Sequence, residues 1–269
     1  MIRLVRRLAL GPLAAACVIA SAASAGAQAA KPTPPGPAAP AAAPAPDRFR
    51  LVLNAAFWPS KTSFSDTRTF PEYAEETTIH SSYDTGTGKG FDGALQVSLY
   101  QGLGLLFGYS RQTRDVTGTV DVSRPNPLYL NQPRTATASL SGYGYTEGAI
   151  DTDVAYARAA GHLDWALFAG ATFFQVEADM LQTPTYDEKY PYDTLTIAST
   201  PSTKIKGSPV GMNVGGRLDY RFGSSRRVGI GAQVRYSKAS AKLKATPDAT
   251  EASVDAGGLS VGGGLRFYF

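Results

Sequence analysis

The feature that most constrains the fold of this chain is a period-two alternation of apolar and polar residues, which recurs in eight segments. Alternation with this period is typical of a half-buried β-strand, because successive side chains of a strand point to opposite faces. No segment has a convincing helical period, and no apolar run reaches the ~18 residues of a membrane-spanning helix. The segments are 49–57, 91–100, 103–112, 149–158, 162–180, 210–222, 227–237 and 258–269.

The connections between these segments alternate in length. Three are short: Gln101–Gly102, the tripeptide at 159–161 and the tetrapeptide at 223–226. Short turns on one side and long loops on the other are typical of an outer-membrane barrel, and both ends of the barrel segment then lie on the periplasmic side. The other four connections are long and polar, and we expect loops at 59–89, 120–147, 182–207 and 246–253.

Aromatic residues collect at the two ends of the predicted strands, as expected for a barrel that crosses two membrane interfaces. An apparent slip of the alternation at Phe173–Phe174 predicts a β-bulge. The aromatic residues at the loop ends are Phe57, Phe91, Tyr109, Phe173 and Tyr236. Those at the turn ends are Phe49, Tyr156, Trp165, Tyr220, Phe222, Phe267 and Phe269.

Residues 48–269 resemble the eight-stranded OmpA/OmpX-type outer-membrane barrels. The final residues, GGGLRFYF, resemble the C-terminal strand signal that the barrel-assembly machinery recognises, with Gly264, Phe267 and Phe269 at matching positions. The resemblance implies an all-β, eight-stranded antiparallel up-and-down transmembrane β-barrel in the bacterial outer membrane. It also implies that the assembly machinery and outer-membrane lipid are partners, and that Phe269 both closes the barrel and serves as an assembly signal. A soluble lipocalin-like barrel is the alternative fold, and it would keep its apolar face inside.

The front of the chain reads as a secretory signal peptide over residues 1–27. A basic start precedes the apolar stretch Leu8–Ala20, and small residues follow, with cleavage expected after Ala25 or Ala27. The apolar stretch is short for an uncleaved membrane anchor. Lipidation of Cys17 is the other alternative, and Ala14 stands where a lipoprotein site has a bulky aliphatic residue.

Residues 28–47 are rich in proline and alanine, which predicts an extended periplasmic spacer.

The balance of charged residues gives no support for nucleic-acid binding. Three of the 26 basic residues and none of the 22 acidic residues lie in the predicted signal, which leaves 23 basic and 22 acidic residues. A nucleic-acid-binding domain requires a concentrated basic patch.

The motifs that could carry chemistry are weak. GLSVG at 258–262 fits a nucleophile-elbow pattern but lies inside a predicted strand with no helix after it. GTGKG at 86–90 lacks the spacing of a phosphate-binding loop. His80 with Ser82 resembles the His-x-Ser pair of lipid A deacylase, but in a different part of the barrel, and His162 lies at a turn. We therefore expect no enzyme activity, no cofactor and no His/Cys metal site.

The inward face of the predicted barrel carries equal numbers of arginine and aspartate. An eight-stranded barrel is only just wide enough for side chains to fill, and buried charges must be paired. We therefore predict a plugged, salt-bridged lumen, in which inward glycines such as Gly108 and Gly231 make room for arginines. A cation shared by Asp151 and Asp153 is an alternative. The predicted network is Arg50, Asp92, Asp151, Asp153, Asp164, Arg217, Asp219, Arg221, Arg235 and Arg266.

These observations leave three functional hypotheses. The first is a monomeric barrel with a structural or surface-interaction role, which binds an unknown extracellular ligand through its long loops. The second is a narrow pore or small-solute channel. The third is a barrel enzyme that acts on lipid.

Overall fold

The computed structural model describes residues 47–246 and 249–269, and the predicted signal peptide and spacer, up to residue 46, lie outside the described residues. No helix among the described residues is long and apolar enough to cross a membrane. The described strands are β1 (Phe49–Trp58), β2 (Ser63–Glu72), β3 (Glu75–Thr85), β4 (Gly88–Tyr100), β5 (Leu103–Arg124), β6 (Arg134–Ala160), β7 (Leu163–Leu181), β8 (Thr185–Asp187), β9 (Thr196–Ser199), β10 (Ser202–Gly207), β11 (Val210–Phe222), β12 (Val228–Leu243) and β13 (Ala252–Tyr268).

Eight of these strands form a closed antiparallel barrel in the order β1, β4, β5, β6, β7, β11, β12, β13. The barrel closes between β13 and β1, with pairing from Arg50↔Tyr268 to Phe57↔Val261. At the end of this seam, the Phe269 N–H donates to the Phe49 carbonyl at 2.9 Å. The predicted eight-stranded up-and-down barrel is confirmed, and so is the pairing of the last strand with the first.

Three of the four predicted long loops are corrected by the structure, because half or more of their residues lie in strands, whereas 246–253 falls mostly between the end of β12 and the start of β13. The hairpin β2–β3 lies within 59–89 and pairs with the outer part of β5. Within 182–207, β10 pairs with the end of β7, while β8 and β9 form a separate two-stranded sheet. Within 120–147, β5 and β6 continue as a hairpin whose connecting loop is 125–133.

The reason for this error is that the polarity of the barrel wall inverts along its axis. On the outer face of β5, exposed apolar residues end at Tyr109, and Arg111 and the alternate residues beyond it are polar. On the inner face, polar residues give way to buried Val116, Val120 and Val122. Below we use "membrane section" for the part with an apolar outer face, and "extracellular section" for residues 59–88, 111–147, 175–209, 238–246 and 249–257.

The predicted bulge at Phe173–Phe174 is wrong for the same reason. The pairing of β7 with β6 runs through both residues without a register shift, and the pairing of β7 with β11 is regular up to its end at Phe173. Phe173 is 50% exposed on the outside, whereas Phe174 is 2% exposed on the inside. The apolar residues change face here while the strand continues. Register shifts occur instead between Ser98 and Tyr100 and between Val116 and Gly118.

The outer face of the membrane section is an apolar band bounded by aromatic residues. From Leu163 to Phe173, β7 rises by about 33 Å along the strand, or about 25 Å at a tilt of ~40°, which matches the apolar band of outer-membrane barrels. Phe91 and Tyr109 pair at the upper edge, with ring centroids 5.9 Å apart, and Tyr156 and Trp165 pair at the lower edge at 5.8 Å. A closed barrel with this outer face is a membrane barrel, and the predicted outer-membrane location is confirmed.

Candidate functional site

The lower lumen is organised around Asp219, which is 1% exposed. Its carboxylate accepts a hydrogen bond from Arg266 Nε at 2.6 Å. It also lies 3.0 Å from Arg217 Nε and 3.4 Å from Arg50 Nη1. Three arginines from β1, β11 and β13 therefore converge on one buried carboxylate.

A second aspartate, Asp164, closes the periplasmic end of the lumen. It accepts hydrogen bonds from Arg50 at 2.9 Å and from Arg221 Nε at 2.7 Å. Arg221 also pairs with Asp47. The guanidinium groups of Arg221 and Arg50 lie over the ring of Tyr268, 3.8 and 4.8 Å from its centroid. These contacts fill the mouth of the barrel with paired charges and an aromatic ring.

The middle of the lumen contains the other half of the network. Arg235 pairs with Asp92 at 3.2 Å and with Asp151. Asp151 also accepts from Thr172 Oγ1 at 2.7 Å, and Asp153 accepts from the amide of Asn213 at 2.7 Å. In this arrangement both Asp151 and Asp153 accept hydrogen bonds from protein donors.

The structure places all ten predicted network residues in the lumen and connects them in these two layers. Several neutral polar residues, which the sequence pattern did not assign to the network, extend it, and one of them links the two layers. Asn54 donates to Asp92 at 2.8 Å and accepts from Arg266 at 2.7 Å. The alternation already pointed to such residues, since they occupy the inward positions of their strands. The others are Gln96, Thr172, Asn213 and Gln233.

Gly231 makes room for this network. A Cβ atom at this position would overlap Asp219 Oδ1 and lie 2.9 Å from Arg266 Nε. We expect Gly231→Ala to lower the free energy of unfolding by about 1–3 kcal/mol, as overpacking does in a filled core.

The matched control is Gly263→Ala on the outer face, where the nearest atom to the added Cβ would be 3.6 Å away. Urea titration of both refolded variants measures the difference. Equal midpoints for the two variants would show that Gly231 has no role in accommodating the ion pairs.

Above the charged layers the lumen is closed by polar contacts and then by an apolar core. Glu147 accepts from Gln112 at 2.9 Å and from Tyr145 at 2.9 Å, and Arg114 donates to Gln112 at 3.0 Å.

An enclosed cavity of about 10 Å³ lies between this level and Arg235, which leaves room for about one water molecule. A larger groove, of about 770 Å³, lies on the lipid-facing outer wall.

The apolar core fills the inside of the extracellular section. Buried residues from β2, β3, β5, β6, β7, β12 and β13 meet there, and burial raises the pKa of the Tyr83 hydroxyl. A charged pair is buried at its edge: Arg68 lies 3.3 Å from Asp66 and donates to the Gln182 carbonyl at 2.9 Å. Arg68 thereby ties β2 to the end of β7. The largest side chains of the core are Phe64, Ile79, Tyr83, Leu140, Tyr143, Tyr145, Phe174, Met180, Leu181, Leu195 and Leu243.

At the extracellular tip an ion cluster joins three hairpin ends. Arg124 pairs with Glu72 and with Glu188, the latter at 2.8 Å, and Arg134 pairs with Glu188 at 3.0 Å. Glu72 also accepts from Thr77 Oγ1 at 2.7 Å. Hydrogen bonding from Arg124 holds the pKa of the Glu72 carboxyl below its ordinary value.

This lowered pKa predicts a pH dependence of the tip. A carboxyl group with a depressed folded-state pKa stabilises the fold above its ordinary pKa of about 4.5, and the contribution is lost as the pH falls through the folded value. Spin labels on Ala74→Cys and Leu128→Cys should therefore give a narrow distance distribution at neutral pH that broadens only at acidic pH below about 4.5. The same labels on a Glu72→Gln background should show a broad distribution at every pH, and broadening near pH 6 would exclude Glu72 as the cause.

The motifs considered for catalysis are placed apart from one another. His80 is exposed on β3 and shares a 3.0 Å hydrogen bond with Thr67, and Ser82 bonds to Thr119. His162 lies at a periplasmic turn beside Tyr220. GLSVG lies within β13. In the part of the chain that the structure describes, no group of three or more His, Cys, Asp and Glu side chains is arranged to hold a metal ion.

No protein-family model matches the chain, and no curated protein matches it by sequence. Among solved structures it is similar to the outer membrane protein OprG from Pseudomonas aeruginosa, at 12% identity over 83% of this chain and 96% of that chain, with a TM-score of 0.47. It is also similar to Neisserial surface protein A, at 11% identity over 82% and 97% of the two chains, with a TM-score of 0.35. A third is Ail of Yersinia pestis, at 10% identity over 82% and 99%, with a TM-score of 0.33.

Proposed function

We propose that this outer-membrane barrel does not conduct, and that its role is to hold a rigid extracellular surface for interaction with molecules outside the cell. The observation that carries the proposal is the apolar core directly above the salt-bridged lumen. A packed apolar core gives no path for water or ions, and it immobilises the hairpins that surround it. The barrel thus supports a raised β-structure rather than flexible loops.

The length of the extracellular section supports the same proposal. From Tyr109 to Arg124, β5 continues for about 50 Å along the strand above the apolar band. A pore requires no such extension, whereas a surface that must stand clear of the lipid headgroups does.

A narrow pore remains the second candidate, because the charged lumen contains buried polar atoms that lack protein partners, among them Arg217 Nη1 and Asp153 Oδ2. Waters satisfy such atoms in many proteins. Conduction would require these waters to connect through Glu147 and the apolar core above it.

Single-channel recording of the refolded protein in a planar bilayer separates the two candidates. Folding is first verified by the heat-dependent gel shift. We expect a silent bilayer, with no steady openings at any voltage that the bilayer withstands. Steady openings that change with Arg235→Gln would establish a pore and contradict the proposal.

We further propose that the protein acts as a monomer without enzymatic activity, and that its last strand engages the assembly machinery through Gly264, Phe267 and Phe269. The position of Phe269 in the closing seam supports the last point. Removal of Phe269 should slow assembly in cells more than it slows refolding in detergent, which pulse-labelling and refolding kinetics measure separately. Equal slowing in both assays would leave Phe269 with a closing role alone.

A further inference from the structure

The tip of the extracellular section exposes five large apolar or aromatic side chains, although polar residues dominate its walls. Exposed apolar clusters of this kind mark interaction sites on soluble surfaces. They lie on the three hairpin ends that the ion cluster joins. We call these residues the tip surface: Tyr73 (49% exposed), Leu128 (52%), Tyr129 (53%), Leu130 (67%) and Tyr190 (81%).

The tip surface is held in one arrangement by contacts beneath it. The Leu128 N–H donates to Asn126 Oδ1 at 2.8 Å, and the Asn126 amide donates to the Tyr192 carbonyl at 3.3 Å. The Asn131 N–H donates to Glu75 at 2.6 Å, which joins the loop at 125–133 to the turn of β2 and β3. Pre-organisation of this kind lowers the entropic cost of binding.

The charge around the tip surface is acidic. Arg124 and Arg134 lie below it and pair with Glu72 and Glu188. Among the solvent-exposed charged residues near the tip surface, one is basic and three are acidic. The exposed charged residues are Glu76, Asp187, Lys189 and Asp193.

We propose that the tip surface binds a protein partner whose contact area combines basic residues with an apolar anchor. Tyrosine and leucine side chains supply apolar contact area, and tyrosine is enriched at protein interfaces. The acidic rim complements lysine and arginine on the partner and disfavours an anionic membrane. This inference deepens the proposed surface-interaction role and rests on it.

The test uses the full chain in nanodiscs and a random peptide library displayed on phage as the probe. Selection is followed by affinity measurement of the enriched peptides on three proteins. These are the wild type, a Leu128→Ser/Leu130→Ser variant, and Tyr100→Ser, which removes an equally exposed aromatic residue (70% exposed) from the periplasmic end.

We expect enriched peptides with net positive charge and at least one apolar residue. The double variant should bind them about tenfold or more weakly, and Tyr100→Ser should bind them as the wild type does. Raising NaCl from about 0.05 M to about 0.5 M should weaken binding, because the rim charges are exposed.

Peptides without basic residues, or binding that the double variant retains, would overturn the assignment. Flotation of the nanodiscs with phosphatidylcholine vesicles that depends on Leu128 and Leu130, without a basic peptide binder, would also overturn it in favour of a lipid surface. That result would leave the surface-interaction role standing. Steady conductance in the planar bilayer would instead contradict the proposed function itself, so the two failures are distinguishable.

Discussion

Replacement of Asp219 with alanine is expected to lower the free energy of unfolding by about 3–5 kcal/mol, the cost of breaking a buried ion pair by removing one partner. The effect is large because Arg50, Arg217 and Arg266 share this carboxylate inside the barrel. Without it, Arg217 and Arg266 are left buried with no other carboxylate of the described residues in a salt bridge with them. Urea unfolding of the refolded protein, followed by tryptophan fluorescence, measures the change.

The control is Asp255→Ala, which removes an exposed aspartate from the outer face of β13. It should leave the unfolding midpoint unchanged. Asp219→Asn should fall between the wild type and Asp219→Ala, because the amide oxygen still accepts from one guanidinium group while the charge is lost. A wild-type midpoint for Asp219→Ala would mean that the lumen charges are solvated by water rather than by one another.

Replacement of Val254 with aspartate is expected to unfold the extracellular section and leave the membrane section folded. Val254 is 0% exposed inside the apolar core, and an unpaired carboxylate there costs about 4 kcal/mol or more. The membrane section has its own closed set of strand pairs and its own lipid contacts, so it does not depend on that core. Limited proteolysis should cleave the variant at 73–74 and 125–133, while the heat-dependent gel shift persists.

The adjacent residue provides the control, because side chains alternate between the two faces of β13. Ser253 is exposed, and Ser253→Asp should remain as protease-resistant as the wild type. If both variants resist proteolysis equally, the interior of the extracellular section is not a packed apolar core, and the proposed seal of the lumen is lost.

The membrane section could be predicted from the sequence in detail, because lipid outside and charge inside place apolar residues at the outward positions of every strand and polar residues at the inward positions. Each predicted segment corresponds to a barrel strand, and Asp92, Arg217 and Arg266 could be assigned to the lumen by parity alone. The pairing of particular charges could not be predicted in this way. Which inward residue of β11 lies at the same height as one of β13 depends on the registers of all the strands in the closed barrel.

The sequence predicts loops in the extracellular section because its apolar residues lie at inward positions of the strands and its polar residues at outward ones. Thr119 and Asp121 face water while Val120 and Val122 face the core. If apolar residues are expected on the outer face, as in the membrane section, this segment has the wrong pattern for a barrel strand and resembles a polar loop. In this respect the extracellular section has an apolar interior, as the lipocalin-like barrel considered as the alternative fold would have. The two adjacent phenylalanines, 173 and 174, mark the level at which the apolar residues change from the outer to the inner face, a pattern that by itself predicts a bulge.

The central claim is that lipid contact ends at one level and that a water-exposed extension continues above it. Spin labels at alternate outward positions of β5, from 103 to 121, test it directly, because the only cysteine of the sequence, Cys17, lies in the predicted signal peptide. We expect high accessibility to oxygen at 103, 105, 107 and 109, and high accessibility to a water-soluble nickel complex from 111 to 121. Oxygen accessibility that continues unchanged to 119, or a nickel-accessible position at 105, would contradict it.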